Sequence, residues 1–220
     1  VPPGPKPLAR KDASAEQRRR ILRVTADLIA KRGYADTTTE LIVRRAKVGY
    51  GTFYKFFPDK EAAFLALFDE TFDISSKLIG EAYGGEADRR PWGERVAEAI
   101  RSFYEQIAAD PPLWRACLVE SLTAGPAIMG RQEVAIQRLG AILWPGREEA
   151  PDGSALPQTL ERTLAGGIVW FAHQRLIVGE AADELPKILP EAVQFALSPY
   201  LGEEAAVAIA DRYDEPRVAA

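Results

Sequence analysis

Seven residues between positions 38 and 60 carry side chains suited to a polyanion. Thr38, Thr39 and Thr52 offer hydroxyls, Tyr50 and Tyr54 offer phenols, and Lys55 and Lys60 offer ammonium groups. Such donors hold phosphate oxygens and, inside a groove, base edges. Gly51 stands among them and leaves room for close backbone approach. Most of the set lies in "VGYGTFYKFFPDKEAAF", residues 48–64, which packs six aromatic residues into 17 positions. A soluble protein does not expose rings at that density without a reason. Helical spacing sorts them. On a helix from about Tyr50 to Phe56, Phe53, Phe56 and Phe57 share one face and read as core. Tyr50, Thr52, Tyr54 and Lys55 fall on the other sides, and Lys60 opens the next helix near the same partner.

Other chemistries find little material. His173 is the one histidine and Cys117 the one cysteine, so neither a metal cluster nor an intrachain disulfide is expected. No Gly-rich phosphate loop follows a strand, and neither G-x-S-x-G nor H-E-x-x-H occurs. The reading is non-enzymatic, with no catalytic residue, no cofactor and no metal. Turnover of any substrate would mark the enzyme alternative. No apolar run reaches the ~18 residues of a membrane span, and no signal peptide opens the sequence. With one cysteine, a reducing compartment fits, and a cytoplasmic location is expected.

The net charge of −4 hides an asymmetry. Residues 1–60 hold 14 Lys and Arg against 6 Asp and Glu, whereas residues 61–220 hold 14 against 26. A basic first quarter on an acidic body points to a polyanion at one end.

These donors need elements to position them. Residues 1–13, "VPPGPKPLARKDA", read as a disordered basic arm, either a floppy tail or a minor-groove segment. Ser14 and Gln17 read as a capping box opening the first helix, which Gly33 ends. Thr37 and Glu40 read as a second capping box, opening a short helix that carries Leu41, Ile42, Val43 and Ala46. A turn at 47–49 leads into the Tyr50–Phe56 helix, Pro58 stops it, and Asp59 caps a longer one from about Lys60 to Glu81. Helical segments then follow at roughly 92–109, 112–123, 127–143, 156–179, 186–199 and 203–213, with 144–156 as a loop. No period-two alternation and no internal repeat occurs, so the chain reads as all-α. Residues 38–57 form a helix-turn-helix, whose second helix enters a DNA major groove while the N-terminus of the first suits a phosphate.

"TTTELIVRRAKVGYGTFYKFFPDKEAAF" resembles the DNA-binding domain of TetR-family transcriptional regulators, and the similarity covers about residues 15–72. Lys47 stands where that family's turn usually has Gly, Val43 replaces a small Ala, and Gly49 stands where Ser often caps. The resemblance implies a helix-turn-helix DNA-binding domain at 14–75 and a helical ligand-binding and dimerisation domain at 76–220. It implies a homodimeric repressor on a pseudo-palindromic operator, released by a small apolar or amphipathic effector. Thr38, Thr39, Tyr54 and Lys60 would hold phosphates, and Tyr50, Thr52 and Lys55 would approach bases beside Gly51. Glu40 either caps its helix or accepts from a cytosine amino group.

The family's larger domain encloses a ligand cavity and dimerises through its last two long helices. For the cavity the sequence offers Phe103, Tyr104, Trp114, Cys117, Leu118, Ser121, Met129, Trp170, Phe171, His173 and Gln174. For the interface it offers small Ala165, Gly166 and Gly167, with Val193, Ala196, Leu197 and Tyr200 at helical spacing. Two other readings remain: a helical interaction module without DNA binding, and an activator of the same fold.

Overall fold

The computed structural model describes residues 7–85 and 87–214, and the side chains of residues 13–181 and 183–214 apart from Glu86. Among the described residues the secondary structure is eleven α-helices and four short 3-10 turns, with no strand.

Helix α1, Pro7–Arg32, starts earlier than the Ser14 capping box predicts. Pro7 suits a first helical turn, and Ala9, Arg10, Lys11 and Ala13 are good helix formers, so the helix continues backward through Ser14. The predicted arm therefore overlaps its opening turns, and residues 1–6 lie outside the described residues. Gly33, at φ +83°, ends α1 as predicted. Helix α2, Thr39–Ala46, is capped by Thr38 and not by Thr37. Thr38 Oγ1 accepts from the Leu41 amide at 3.3 Å. The Thr37 hydroxyl donates instead to the Gly33 carbonyl at 2.9 Å and is fully buried. Lys47 closes α2 in the left-handed conformation (φ 52°, ψ 47°), doing what a glycine would do with less strain. Helix α3, Tyr50–Phe56, follows Gly49, and α4, Lys60–Tyr83, follows Asp59, whose carboxylate accepts from the Ala62 amide at 2.7 Å.

Two apolar cores share α4. The first joins Ile21 and Ile29 of α1, Ile42 and Ala46 of α2, Phe53 and Phe57, and Ala63, Phe64 and Phe68 of α4. It takes in Ala116 and Cys117 of α6, Pro111–Leu118. The second core is built on α5, Trp92–Ala109, and α10, Ala181–Leu201, where Val96 and Ile100 meet the buried face of Val193, Ala196 and Leu197. Helices α7, Pro126–Gly140, and α9, Leu160–Val178, close its other sides, and α11, Glu203–Ala210, packs on α10.

Three elements differ from the sequence reading. The segment predicted over 112–123 is α6 followed by a 3-10 turn at Glu120–Thr123. The loop predicted at 144–156 contains α8, Gly146–Glu149, and a 3-10 turn at Gly153–Ala155. Arg147 ties it down: its guanidinium meets Glu161 at 2.7 Å and donates to the carbonyls of Gly153, Leu156 and Pro157. Helix α10 runs through Pro186, Pro190 and Pro199, although proline costs an internal hydrogen bond. Burial of the Leu185, Leu189, Ala192 and Ala196 side outweighs that loss.

Arg115 of α6 bridges the two cores. Its guanidinium donates to the Ala30 carbonyl at the end of α1 (3.2 Å) and to the Leu176 carbonyl near the end of α9 (2.7 Å).

Candidate nucleic-acid interface and effector cavity

The rings of α3 divide by burial. Phe53 and Phe57 are 0% and 3% exposed, and Phe56 is half-buried beside them. Tyr50 and Tyr54 are 51% and 54% exposed. Their rings stack on each other, centroids 6.4 Å apart at 20°, and Tyr54 also meets the edge of Phe53 at 5.5 Å. The buried phenylalanines thus hold the two phenols in a fixed outward pose. Gly51 and Lys55 are exposed and Thr52 is half-buried on the same short helix. A Cβ added at Gly51 would meet no atom of the protein within 4 Å. Nothing inside the fold requires a glycine there, although glycine weakens a helix by roughly 0.5–1 kcal/mol.

The N-terminus of α2 adjoins this surface in the sequence, with Thr38 exposed, Thr39 half-buried and Glu40 exposed. Glu40 does not pair with Thr37 as a capping box, because Thr37 faces inward. Lys60 is less free than the sequence implies. Its ammonium donates to the Tyr34 carbonyl at 2.7 Å and sits 4.0 Å from the Tyr34 ring centroid. Burial lowers its pKa, and nearby Asp36 partly opposes that. Two donor positions of the ammonium remain for an outside acceptor. The sequence reading left out a basic cleft behind α2, where Arg32, Arg44, Arg45 and Lys47 surround Leu28 and Leu41. The surplus of cations before residue 60 was its signal.

The larger core contains a cavity of about 90 Å³ between α4 and α7. Of the eleven residues expected to line it, Phe103 and Leu118 do. The others are placed elsewhere. Cys117 belongs to the first core, and its full burial pushes the thiol up to about 12. Trp114 is buried behind the wall, its ring edge-on to Phe72 and Phe103 at 5.4 Å. Tyr104 is buried and donates to the Ile168 carbonyl at 3.0 Å, tying α5 to α9. Ser121 is buried in the turn after α6, and Met129 is exposed on α7. Trp170 is 55% exposed on α9 with His173 stacked beneath it at 4.9 Å. Phe171 packs edge-on against Phe195, and Gln174 is half-buried along the same helix. Neither nitrogen of His173 has a hydrogen-bond partner among the described residues, and burial, reinforced by Arg115, lowers its pKa.

The cavity's remaining walls come from α4 (Phe72, Ser75, Ser76, Ile79) and from α7 (Gln132, Ile136, Arg138, Leu139), with Ile142 and Val169. The available sign was the Ser75–Ser76 pair in the middle of α4, between Ile74 and the Leu78–Ile79 pair.

The expected interface residues also move. Ala165, Val193, Ala196, Leu197 and Tyr200 are all at most 1% exposed inside one chain, so they cannot form its outer face. The small residues of α9 serve two purposes. A Cβ at Gly167 would strike the Phe195 ring at 2.5 Å, so that glycine admits α10. At Gly166 a Cβ would meet nothing within 4 Å. The outward face of α9 runs through Gly166, Trp170, Ile177 and Val178, and Phe195 of α10 is 37% exposed.

A short helix-turn-helix with outward phenols, mounted on a larger helical body with a cavity, is the build of helical DNA-binding transcriptional regulators. The comparisons agree. Residues 21–67 match the model of bacterial regulatory proteins of the tetR family. The HTH-type transcriptional regulator EthR of Mycolicibacterium smegmatis is 24% identical over 184 residues, 81% of each chain. The uncharacterized HTH-type regulator YuxN of Bacillus subtilis is 33% identical over 91 residues, 41% of this chain and 31% of its own. Among solved structures, the fatty acid degradation regulator FadR of Bacillus halodurans superposes with a TM-score of 0.71 at 20% identity, covering 82% of this chain and 94% of its own. FadR of Bacillus subtilis, in complex with stearoyl-CoA, gives 0.70 at 19% identity, covering 81% and 97%. Residues 21–67 thus resemble the tetR-family regulatory domain, and the chain as a whole shares the fold of these regulators. No helix among the described residues is long and apolar enough to cross a membrane.

Proposed function

We propose that the protein is a cytoplasmic homodimeric repressor that binds a pseudo-palindromic operator and leaves it when a small amphipathic effector enters the larger core. The observation that carries this reading is α3: two phenols held outward by a buried phenylalanine pair, beside a glycine that no internal contact requires. In a major groove Tyr50, Thr52 and Lys55 approach base edges, and Gly51 lets the backbone come close. Thr38, Thr39, Tyr54 and the spare donors of Lys60 take phosphates on either side. Glu40, freed from the capping box, is the acceptor for a cytosine amino group.

Dimerisation uses the outward α9 face, Gly166 and Trp170 together with Phe195, in place of the buried small-residue set. A two-fold contact there would set two copies of α3 one helical turn of DNA apart. The α4–α7 cavity is the effector site. A similarly folded regulator, solved in complex with stearoyl-CoA, supports an effector with a large apolar part.

Selection of bound duplexes from a random library at physiological salt tests the reading. An enriched inverted repeat is the expected result. A library with no enrichment above non-specific binding, with and without effector candidates, would leave a helical interaction module in its place.

A further inference from the structure

Hydroxyls on the helices of this protein mostly bond backward along their own helix. Thr25 and Thr71 donate to the carbonyls four residues earlier at 2.8 Å, and Ser198 does so at 2.7 Å. Ser75 does not. It is 2% exposed, lines the α4–α7 cavity, and its hydroxyl has no partner among the described residues. Ser121 and His173 are buried and unpaired as well, but of the three only Ser75 lines the cavity, where an unpaired hydroxyl marks a place for a partner to arrive.

The other polar groups of the cavity gather at the same seam. Ser76 and Gln132 are half-buried, and Arg138 is exposed. Opposite them the walls are apolar, with Phe103, Leu118 and Val169 at the base. A mostly apolar cavity with a few polar groups along one seam selects a molecule with a small polar head on an apolar body. Two ion pairs also join α7 to α4 along this seam: Arg131 to Asp69 at 2.7 Å, and Arg138 to Asp73 at 3.0 Å. Asp73 occupies the guanidinium that the cavity would otherwise present.

We propose that the effector is an amphipathic carboxylate whose head competes with Asp73 for Arg138 and takes hydrogen bonds from Ser75 and Gln132, its apolar tail lying against Phe103 and Leu118. This rests on the reading of the protein as an effector-released regulator and names the chemical class of that effector. Head binding exchanges an intramolecular carboxylate for an external one, so it loosens one of the two α4–α7 pairs. Helix α4 begins in the first core with Ala63, Phe64 and Phe68, so the loosened helix shares that core with the DNA-facing helices.

The test compares octanoate with 1-octanol, equal in tail and different in head, by calorimetry on the full chain. Octanoate should bind wild type about tenfold tighter than 1-octanol, the size of one charge-assisted hydrogen bond. Arg138→Ala should bring octanoate down to the level of 1-octanol and leave 1-octanol unchanged. Ser75→Ala should weaken both probes, and Ser75→Leu, which fills the cavity, should abolish both. Equal affinity of the two probes, no binding of either, or octanoate binding insensitive to Arg138→Ala and Ser75→Leu would each overturn the assignment. Duplex binding by the same unliganded samples is read alongside. If duplex binding holds while octanoate fails to bind, only the effector class falls. If duplex binding is absent, the regulator reading falls, and the calorimetry still decides the cavity.

Discussion

Helices α3 and α9 both leave large aromatic side chains in the open, in different surroundings. On α3 the exposed rings are phenols, with Lys55 on the same helix and Lys47 and Lys60 flanking it. On α9 the exposed ring is an indole in a run with Ile177 and Val178, and acidic Glu191 borders the groove beside Phe195. A ring with a polar tip among cations suits a hydrated polyanion. A ring among aliphatic neighbours suits another apolar surface. Exposure alone does not identify a partner; what stands around the exposed ring does.

The comparison can be broken most severely at Trp170. Trp170→Asp puts a charge at the centre of the proposed α9 face. Light scattering should then give a mass near 24.2 kDa in place of about twice that. Operator affinity should fall by roughly 30-fold or more, since a buried interface tryptophan contributes about 2 kcal/mol or more. A dimer that survives the substitution would remove α9 from the interface. On α3 the effects should be smaller and of two kinds. Lys55→Ala should relax preference at one operator position by roughly 1–3 kcal/mol, read from duplex libraries. Tyr54→Phe should weaken all duplexes alike by about 1 kcal/mol. If the kinds were exchanged, Lys55 would be the phosphate contact and Tyr54 the reader.

Gly51→Ala sharpens the contrast further. It should stabilise the free protein by up to about 1 kcal/mol in thermal melts, since the site is open. Duplex affinity should nevertheless fall several-fold. Gain in both would mean that no DNA backbone approaches there. The smallest effect belongs to His173. Burial favours its neutral form, so its folded pKa lies below the unfolded value of about 6.5. The stability it contributes is complete above that pH and is lost as the unfolded chain takes up the proton on acidification. His173→Gln should flatten the fall in melting temperature from about pH 7 to about pH 5.

Much of the first core was legible because its signals are local. Asp59 as a cap, Gly33 as a stop, and the spacing of Phe53 and Phe57 each follow from a few neighbouring residues. The three consecutive threonines show the limit of such signals. Any of Thr37, Thr38 and Thr39 suits a cap by type, and the carbonyl of Gly33 decides by taking the hydroxyl of Thr37. The cavity and the outer face were less legible because they depend on which helix sides meet. Val193, Ala196, Leu197 and Tyr200 form a regular apolar stripe that would serve an interface as well as a core. Only the packing of α5 against α10 assigns that stripe to the interior. Likewise, the segment expected at 186–199 is longer in the structure, where tertiary packing carries α10 over Ala181–Leu201 through three prolines.

Arg115 has a mechanical meaning. One guanidinium holds the last turns of both α1 and α9, where each helix presents the negative end of its dipole. It therefore works as a common bearing. If α9 rolls against a twin, its terminal carbonyls can keep that grip only by drawing the end of α1 with them. In the proposed dimer, the spacing between the two copies of α3 would then be set at this bearing.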